Sequence, residues 1–519
     1  MQTAGTTKGM HQSMNTSLER LPVFPSVRRF EKRQNEKPHA GGSRKTLYVA
    51  PGVADQVENF FDIHGPRVNV EEDTSPGTFV LKTSQEADLP EREPERGGYA
   101  LNITPEGFTL SAGDRAGFYS GLQSLWQLLE SETSLPCGEI VDWPETKVRS
   151  FQIDLGRQPE TLAELKRLLR QQAGYHFNEC QLYLENSIQL DVLGEAANPD
   201  GLTKEEYRDL VDYGMALGIE VVPSLNLLGH MGKVLRHPAF EHLAETREGP
   251  RHPDQPFGSD LCPELPETRE LVAEIIREMC EISPADKLMV GLDECWTLRS
   301  CPLCRERLDE RGHAGDIFAD YIRFLHSEVT GRGKQMWMWD DMLFYHKGAL
   351  GQIPRDIGMN IWHYQPVEEY PTYSFQNWRR IDSLEEMRRR GHPVMLCGGL
   401  GVDNLISLLR YGEGYDCEGL LATQWEGSQR VQEFYHPARA VASNVLWRGE
   451  PPESERLAEA LDDTGNYSDE LAALLTAFDC ASNAGGSGGK DRPPRFWAWP
   501  GHASARRRQT EVLRLAHRC

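Results

Sequence analysis

Residues 287–298 read KLMVGLDECWTL, an apolar run that ends on two adjacent carboxylates, Asp293 and Glu294, with Trp296 two places beyond. A short unbroken apolar run reads as a strand covered on both faces, the habit of parallel sheets. Seven more runs of this kind accompany it: SFQIDL (150–155), ECQLYLE (179–185), IEVVPSL (219–225), QMWMWDD (335–341), GMNIWHY (358–364), PVMLCGG (393–399) and GLLATQW (419–425). Amphipathic segments separate them. Three of these open with a hydroxyl followed three residues on by glutamate: Thr161 with Glu164, Thr203 with Glu206 and Ser383 with Glu386, the pattern of a helix capping box. Eight strands with helical crossovers over residues 147–450 predict an α/β fold, a (β/α)8 TIM barrel, although the fifth connection is short and poor in helix signal. An open doubly wound sheet is the weaker reading, because neither GxGxxG after the first strand nor GxxxxGK[ST] occurs.

Upstream, TLYVA, TFVLKT, GYALNIT and GFTLSAG are strand-like, and AGFYSGLQSLWQLLES has apolar residues at helical spacing. Residues 45–140 therefore read as a small α+β domain preceding the barrel. Residues 1–44 are polar, basic and rich in Gly, Ser and Pro, and are expected to be disordered. Residues 451–519 read as a helical segment followed by a flexible tail rich in Gly, Pro and Arg.

The chain of 519 residues is 39% hydrophobic, enough for a large core, and carries a net charge of −23. That charge repels nucleic acid and anionic membrane surfaces, so neither is expected as a partner, and a neutral small molecule or oligosaccharide is. The N-terminal stretch has no apolar core of signal-peptide length and no run of 18 apolar residues occurs, so a cytoplasmic location is expected. The eleven cysteines read as reduced thiols. Cys301 and Cys304 form a CxxC with Cys295 nearby, which could bind zinc. No second CxxC or spaced histidine pair completes a tetrahedral set, so neither metal nor cofactor is expected. The sequence is silent on oligomeric state.

In such a barrel, reactive groups sit where strands run out at the C-terminal face. Those positions hold Asp154, Arg157, Glu185, His230, Asp293, Glu294, Trp339, Asp340, Asp341, Trp362, Tyr364, Trp425 and Glu426. Acids and indoles dominate. Indole faces stack on the C–H faces of a pyranose while carboxylates accept its hydroxyl protons, so the set suggests a glycoside hydrolase. Two consecutive, partly desolvated acids predict that one is driven toward its protonated form and serves as proton donor while the other stays charged. Consecutive residues on a strand point to opposite sides, which is awkward for two carboxylates flanking one bond and hints that the substrate supplies the nucleophile. Trp337 and Trp339 share a strand face, and Trp339 is nearer the mouth.

GLDECW (291–296), VRSFQIDLGRQ (148–158) and GIEVVPSLNLLGH (218–230) resemble motifs of the family 20 glycoside hydrolases, the β-N-acetylhexosaminidases. Residues 98–129 resemble the small α+β domain of those enzymes, and GHMGKVLRHPAFEHLAE (229–245) is most similar to their intracellular hexosaminidase D branch. The resemblance implies removal of terminal non-reducing N-acetyl-β-hexosamine by substrate-assisted, retaining catalysis. Glu294 then matches the general acid and base, and Asp293 the carboxylate that holds the acetamido N–H. Arg149 matches an arginine gripping sugar hydroxyls, His230 a histidine tuning the acid, and Trp339, Trp362 and Trp425 the pocket walls. Some positions depart from the pattern. The second strand offers only Glu185, Ser224 and Asn226 stand where acids are usual, and Glu426 is one position off its usual spacing. LCGGLG lacks the tyrosine expected after the seventh strand, for which Tyr364 is the substitute. A barrel that binds sugar without turnover, or one of altered hexosamine or disaccharide specificity, is the alternative.

Overall fold

The computed structural model describes residues 21–461 apart from 35, 39–44, 50–53, 66–67, 73–81, 84–96, 106–107, 131–134, 247–258, 312, 347, 368–380 and 426–431. The first domain has strands β1 (Arg29–Lys32), β2 (Lys45–Val49), β3 (Val68–Glu72), β4 (Lys82–Thr83), β5 (Tyr99–Ile103), β6 (Phe108–Ala112) and β7 (Gly138–Asp142). Five form a sheet in the order β1-β7-β5-β6-β4, and β2 pairs β3 separately. Strands β5 and β6 alternate buried and half-buried residues. Their inward set, Tyr99, Leu101, Ile103, Phe108 and Leu110, shares one core with Phe118, Leu122 and Leu125 of the helix Arg115–Glu130. That is the period-two face a sheet presents to a covering helix.

The first 44 residues are not wholly disordered, contrary to expectation. Leu21, Val23 and Phe24 are buried. Gln127 brackets Phe24, accepting its N–H at 2.6 Å and donating to its carbonyl at 2.9 Å. Arg456 donates to the carbonyls of Leu21 and Val23, and β1 pairs antiparallel with β7. A short apolar cluster inside a polar segment was enough to anchor it, and composition averaged that cluster away.

The second domain is a closed, all-parallel barrel of β8 (Val148–Asp154), β9 (Glu179–Tyr183), β10 (Glu220–Ser224), β11 (Lys287–Met289), β12 (Gln335–Trp339), β13 (Gly358–Trp362), β14 (Val394–Gly398) and β15 (Gly419–Ala422). β15 returns to β8 with Gly419 opposite Val148. All eight expected strands are present. The helix-poor fifth connection is built from a short helix, Asp341–Tyr345, and a single 3-10 turn, Ala349–Gly351. Met289, Trp337, Trp339, Met395, Cys397 and Leu421 pack together inside the barrel. Thr203 and Glu206 form the expected reciprocal cap, and Thr161 accepts from the Glu164 amide. At the third site the cap is Asp382, one residue earlier than expected, accepting from the Glu385 amide at 3.0 Å. Each such cap stabilises its helix by about 1 kcal/mol.

Helix Arg115–Glu130 also joins the two domains. Ser124 hydrogen-bonds Tyr99 and approaches His176 at 3.4 Å. Trp447 donates to the buried Asp142 at 2.9 Å. This polar seam lies at the N-terminal ends of the barrel strands, opposite the mouth.

Candidate active site

Strand β11 stops at Met289, well short of the acids. Beyond it the backbone turns through positive φ at Gly291 (76°), Leu292 (72°) and Glu294 (50°). The alternation of sides expected for a strand therefore fails, and Asp293 and Glu294 face a common partner. Left-handed non-glycine residues cost about 1–3 kcal/mol each and persist only where neighbours fix them. Here the Glu294 amide donates to Asp341 Oδ2 at 3.1 Å, the Val290 amide to the Trp337 carbonyl at 2.9 Å, and the Leu227 amide to the Val290 carbonyl at 3.2 Å. A Cβ on Gly291 would stand 2.8 Å from the Leu225 carbonyl oxygen, so this turn requires glycine.

The common partner is His230, itself left-handed (φ 56°), on the loop after β10. Its Nε2 lies 3.2 Å from Asp293 Oδ2 and 3.4 Å from Glu294 Oε2, an ion-pair contact with both carboxylates. Burial works to lower the histidine's pKa. The Asp293 charge and the contacts with Asp293 and Glu294 outweigh it and hold the imidazole well above its usual range. The Glu294 side chain is 35% exposed and that of Asp293 only 12%, so the glutamate is open to the mouth and the aspartate stands behind it. Asp293 Oδ1 is buried and has no hydrogen-bond partner among the described residues.

Asp341 supports this pair from beneath. Burial, then the charges of Asp293 and Asp340, drive its carboxyl well above the usual carboxylate range. Asp340 is pushed up to about 7 by burial. The Trp362 side chain hydrogen-bonds Asp341, and Trp362 packs against Tyr364 with ring centroids 5.1 Å apart. Trp425 Nε1 donates to the Tyr364 hydroxyl at 2.9 Å, and its ring lies 6.4 Å from Trp339 and 5.0 Å from Tyr183. Trp362, Tyr364 and Trp425 are half-buried, whereas Trp339 is closed off beneath them. On the opposite rim Glu185 pairs with Lys233 at 3.0 Å and accepts from the Tyr183 hydroxyl at 3.2 Å. Arg157 pairs with the buried Asp154 at 2.7 Å and lays its guanidinium 4.8 Å over the Trp425 ring. The result is a carboxylate-rich mouth with aromatic walls and, among the described residues, the side-chain cations of Arg157 and Lys233 in addition to His230.

Comparison with known proteins bears on the family and the fold. Residues 147–399 match glycosyl hydrolase family 20, catalytic domain, and residues 20–143 match glycosyl hydrolase family 20, domain 2. The chain belongs to glycosyl hydrolase family 20. A β-hexosaminidase of Akkermansia muciniphila is 28% identical over 351 residues, covering 62% of this chain and 66% of that protein. Hexosaminidase D of Homo sapiens is 33% identical over 184 residues, covering 34% of this chain and 35% of that protein. The chain thus spans less than two thirds of these relatives' own length. The crystal structure of a β-N-acetylhexosaminidase from Bacteroides fragilis has the same fold, with a TM-score of 0.67 at 18% identity, over 90% of this chain and 96% of that one.

In this family 20 barrel, the sequence-predicted Asp293, Glu294, His230, Glu185, Trp339, Trp362, Tyr364 and Trp425 gather at the mouth. Arg149 does not. It sits at the start of β8, is 1% exposed, and donates to the carbonyls of His176 (2.7 Å), Thr146 (2.9 Å) and Lys147 (3.1 Å). Its guanidinium lies 4.9 Å over Trp447, which places it in the polar seam between the domains. The full length of β8 separates it from the mouth. The arginine at the mouth is Arg157, three residues beyond Asp154, at the strand end that the barrel's polarity favours. Lys233, in the one-turn helix Gly232–Leu235, was missed because a lone lysine carries no signal until its partner Glu185 is placed. Glu426 lies outside the described residues. Trp337 is core, as its position deeper on β12 implied: it donates to Gln335 and is capped by Lys287.

Proposed function

We propose that this chain hydrolyses the glycosidic bond of terminal, non-reducing N-acetyl-β-hexosamine with retention of configuration, the substrate's acetamido oxygen serving as nucleophile. The carrying observation is that Asp293 and Glu294 meet at His230 on one side of the mouth with unequal access. In a two-carboxylate retaining mechanism the second acid must reach the anomeric carbon. Asp293 is set back behind Glu294, its side chain only 12% exposed and its Oδ2 turned to His230, which disfavours attack on the anomeric carbon and suits a carboxylate that accepts the acetamido N–H. The strand-alternation argument for the same mechanism does not hold, and this difference in burial replaces it.

Glu294 then protonates the departing oxygen while the acetamido oxygen closes on the anomeric carbon. Asp293 balances the positive charge of the resulting oxazolinium ion. Glu294, now ionised, takes a proton from the water that opens the ring. The His230 imidazolium offsets the Asp293 charge so that two acids coexist in a small volume. Trp362 and Trp425 wall the sugar, and Trp339 packs beneath them. Tyr364 donates to the acetamido carbonyl, its oxygen already accepting the Trp425 N–H. Arg157 and Glu185, with Lys233, hold the sugar hydroxyls.

No helix among the described residues is long and apolar enough to cross a membrane. We place the protein in a reducing compartment, a reading supported by cysteines that stand as free thiols among the described residues.

The test is release of a chromogenic aglycone from N-acetyl-β-glucosaminide and galactosaminide by the wild type and Glu294→Gln. The wild type turns over, and the variant loses roughly two to four decades in kcat. A wild type that binds both sugars and cleaves neither overturns the proposal in favour of a binding barrel.

A further inference from the structure

Outside the mouth, four ligand-type side chains that no part of the mechanism uses converge on one point. Glu245, Cys262, Cys301 and Cys304 each offer an atom, and these atoms all lie within 4.8 Å of one another. The three cysteines and Glu245 are fully buried. We infer that these four residues form a structural zinc site that staples the loop carrying the acid pair. This revises the expectation that the chain holds no metal.

The spacing is the first argument. Cys262 Sγ is 3.4 Å from Cys301 Sγ and 3.7 Å from Cys304 Sγ, and Cys304 Sγ is 3.3 Å from Glu245 Oε2. A tetrahedral zinc with Zn–S of about 2.3 Å and Zn–O of about 2.0–2.2 Å sets its donors about 3.5–3.8 Å apart. Sulfurs bonded as a disulfide stand about 2.05 Å apart, so these are separate thiols. Three buried sulfurs and a carboxylate sharing one dry point are otherwise costly.

The surrounding hydrogen bonds pre-form the site without help from the metal. The Cys262 amide donates to the Leu243 carbonyl at 2.8 Å, and the Glu245 amide to the Asp260 carbonyl at 2.8 Å, which holds Glu245 beside Cys262. Glu245 Oε1 accepts the Cys301 amide at 3.0 Å, leaving Oε2 for a cation. The Cys304 amide points at Cys301 Sγ at 3.3 Å, the kind of donation that stabilises a thiolate. Three sulfurs with one carboxylate suit zinc rather than magnesium or calcium, which prefer all-oxygen shells. Four protein ligands close the shell, so the metal has no open position for chemistry.

The site's position gives it a purpose. Cys301 and Cys304 open the helix Pro302–Arg311 directly after the acid loop. Within that loop Thr297 donates through both its amide and its hydroxyl to Asp260 Oδ2, each at 2.7 Å. The Ser259 and Leu261 backbone bonds in turn to Met231 and Leu228, on either side of His230. A metal joining Cys262 and Glu245 to the CxxC would therefore lock the acid loop to the histidine loop. Cys295, the third ligand suggested by sequence proximity, is not part of the set; its thiol faces the Asp293 carbonyl at 3.4 Å.

The test uses the full chain produced with zinc in the medium under reducing conditions. Elemental analysis should find about one equivalent of zinc per chain, falling at least tenfold in Cys262→Ser and in Cys304→Ser. Cobalt substituted for zinc in the wild type should give thiolate-to-cobalt charge-transfer bands and the intense visible bands of a tetrahedral ion. The cobalt arm needs no variant, so misfolding of a cysteine mutant does not blunt the test. A folded wild type that takes up neither zinc nor cobalt overturns the inference. So does cobalt bound with an octahedral, thiolate-free spectrum, or zinc retained in full by a folded Cys262→Ser.

Discussion

His230 Nε2 stands 3.2 Å from Asp293 Oδ2, and both residues reach that contact from loops rather than strands. Gly229 makes the approach possible, since a Cβ there would stand 2.6 Å from the Asp293 carbonyl oxygen. The two loops are thus fitted backbone to backbone, and the imidazole closes the contact between side chains.

The raised pKa of His230 gives the first prediction. A histidine held above its unfolded value of about 6.5 contributes stability that is fully present below that value and is lost as pH rises through the folded pKa. His230→Gln should therefore lower stability by roughly 1–3 kcal/mol near pH 6 and by less at high pH. Thermal melts of both proteins across pH 6 to 9 check this, and an NMR titration should find the wild-type imidazole still protonated above neutral pH.

The two arginines should separate cleanly. Arg149→Met removes donors from buried carbonyls at the domain seam, and should cost about 2–4 kcal/mol of stability while leaving kcat/KM of the folded protein unchanged. Arg157→Lys keeps a cation beside Asp154 but loses the planar stack on Trp425. It should reduce kcat/KM about tenfold with a small change in melting temperature. Equal losses of activity in both would contradict the placement of Arg149.

Much of this architecture is legible in the chain itself. Barrel strands are covered on both faces, so runs such as VMLCG and GLLA stand out as continuous apolar stretches, and the barrel's polarity then assigns Glu185 and Trp425 to the mouth. The early end of β11 is not legible. VGLDE reads as strand because its departure into positive φ is imposed by Asp341, Gly229 and Leu225, all distant in sequence. Glu245 and Cys262 carry no local signal for the same reason: only the pairing of residues 243–245 with 260–262 brings them to the CxxC. Arg149 was misplaced by motif similarity although its position at a strand's beginning argued against it.

Asp340 predicts a pH effect of its own. Its folded pKa of about 7 lies above the unfolded value of 3.8, so its contribution to stability is present below about 4 and is lost as pH rises toward 7. Asp340→Asn should remove that loss. The wild type should melt higher at pH 6 than at pH 8 relative to the variant, with a difference of about 1.4 kcal/mol over that window at 1.36 kcal/mol per unit of pKa shift.

Tyr364 accepts the Trp425 N–H and lies beside the Thr423 hydroxyl; in the proposed mechanism its own O–H turns to the substrate. Tyr364→Phe should lower kcat on an acetamido sugar by roughly 10–1,000-fold, the range for removing one donor to developing charge. KM should change far less. A loss confined to KM would assign the tyrosine to packing alone.

The most direct measurement compares two chromogenic substrates that differ only at the second carbon of the sugar, one carrying the acetamido group and the other a hydroxyl. The arrangement of Asp293 behind Glu294 predicts turnover of the acetamido sugar and essentially none of the plain glucoside. Comparable cleavage of both would mean that the nucleophile comes from the protein or from water, and that the buried Asp293 does not act by holding an acetamido group.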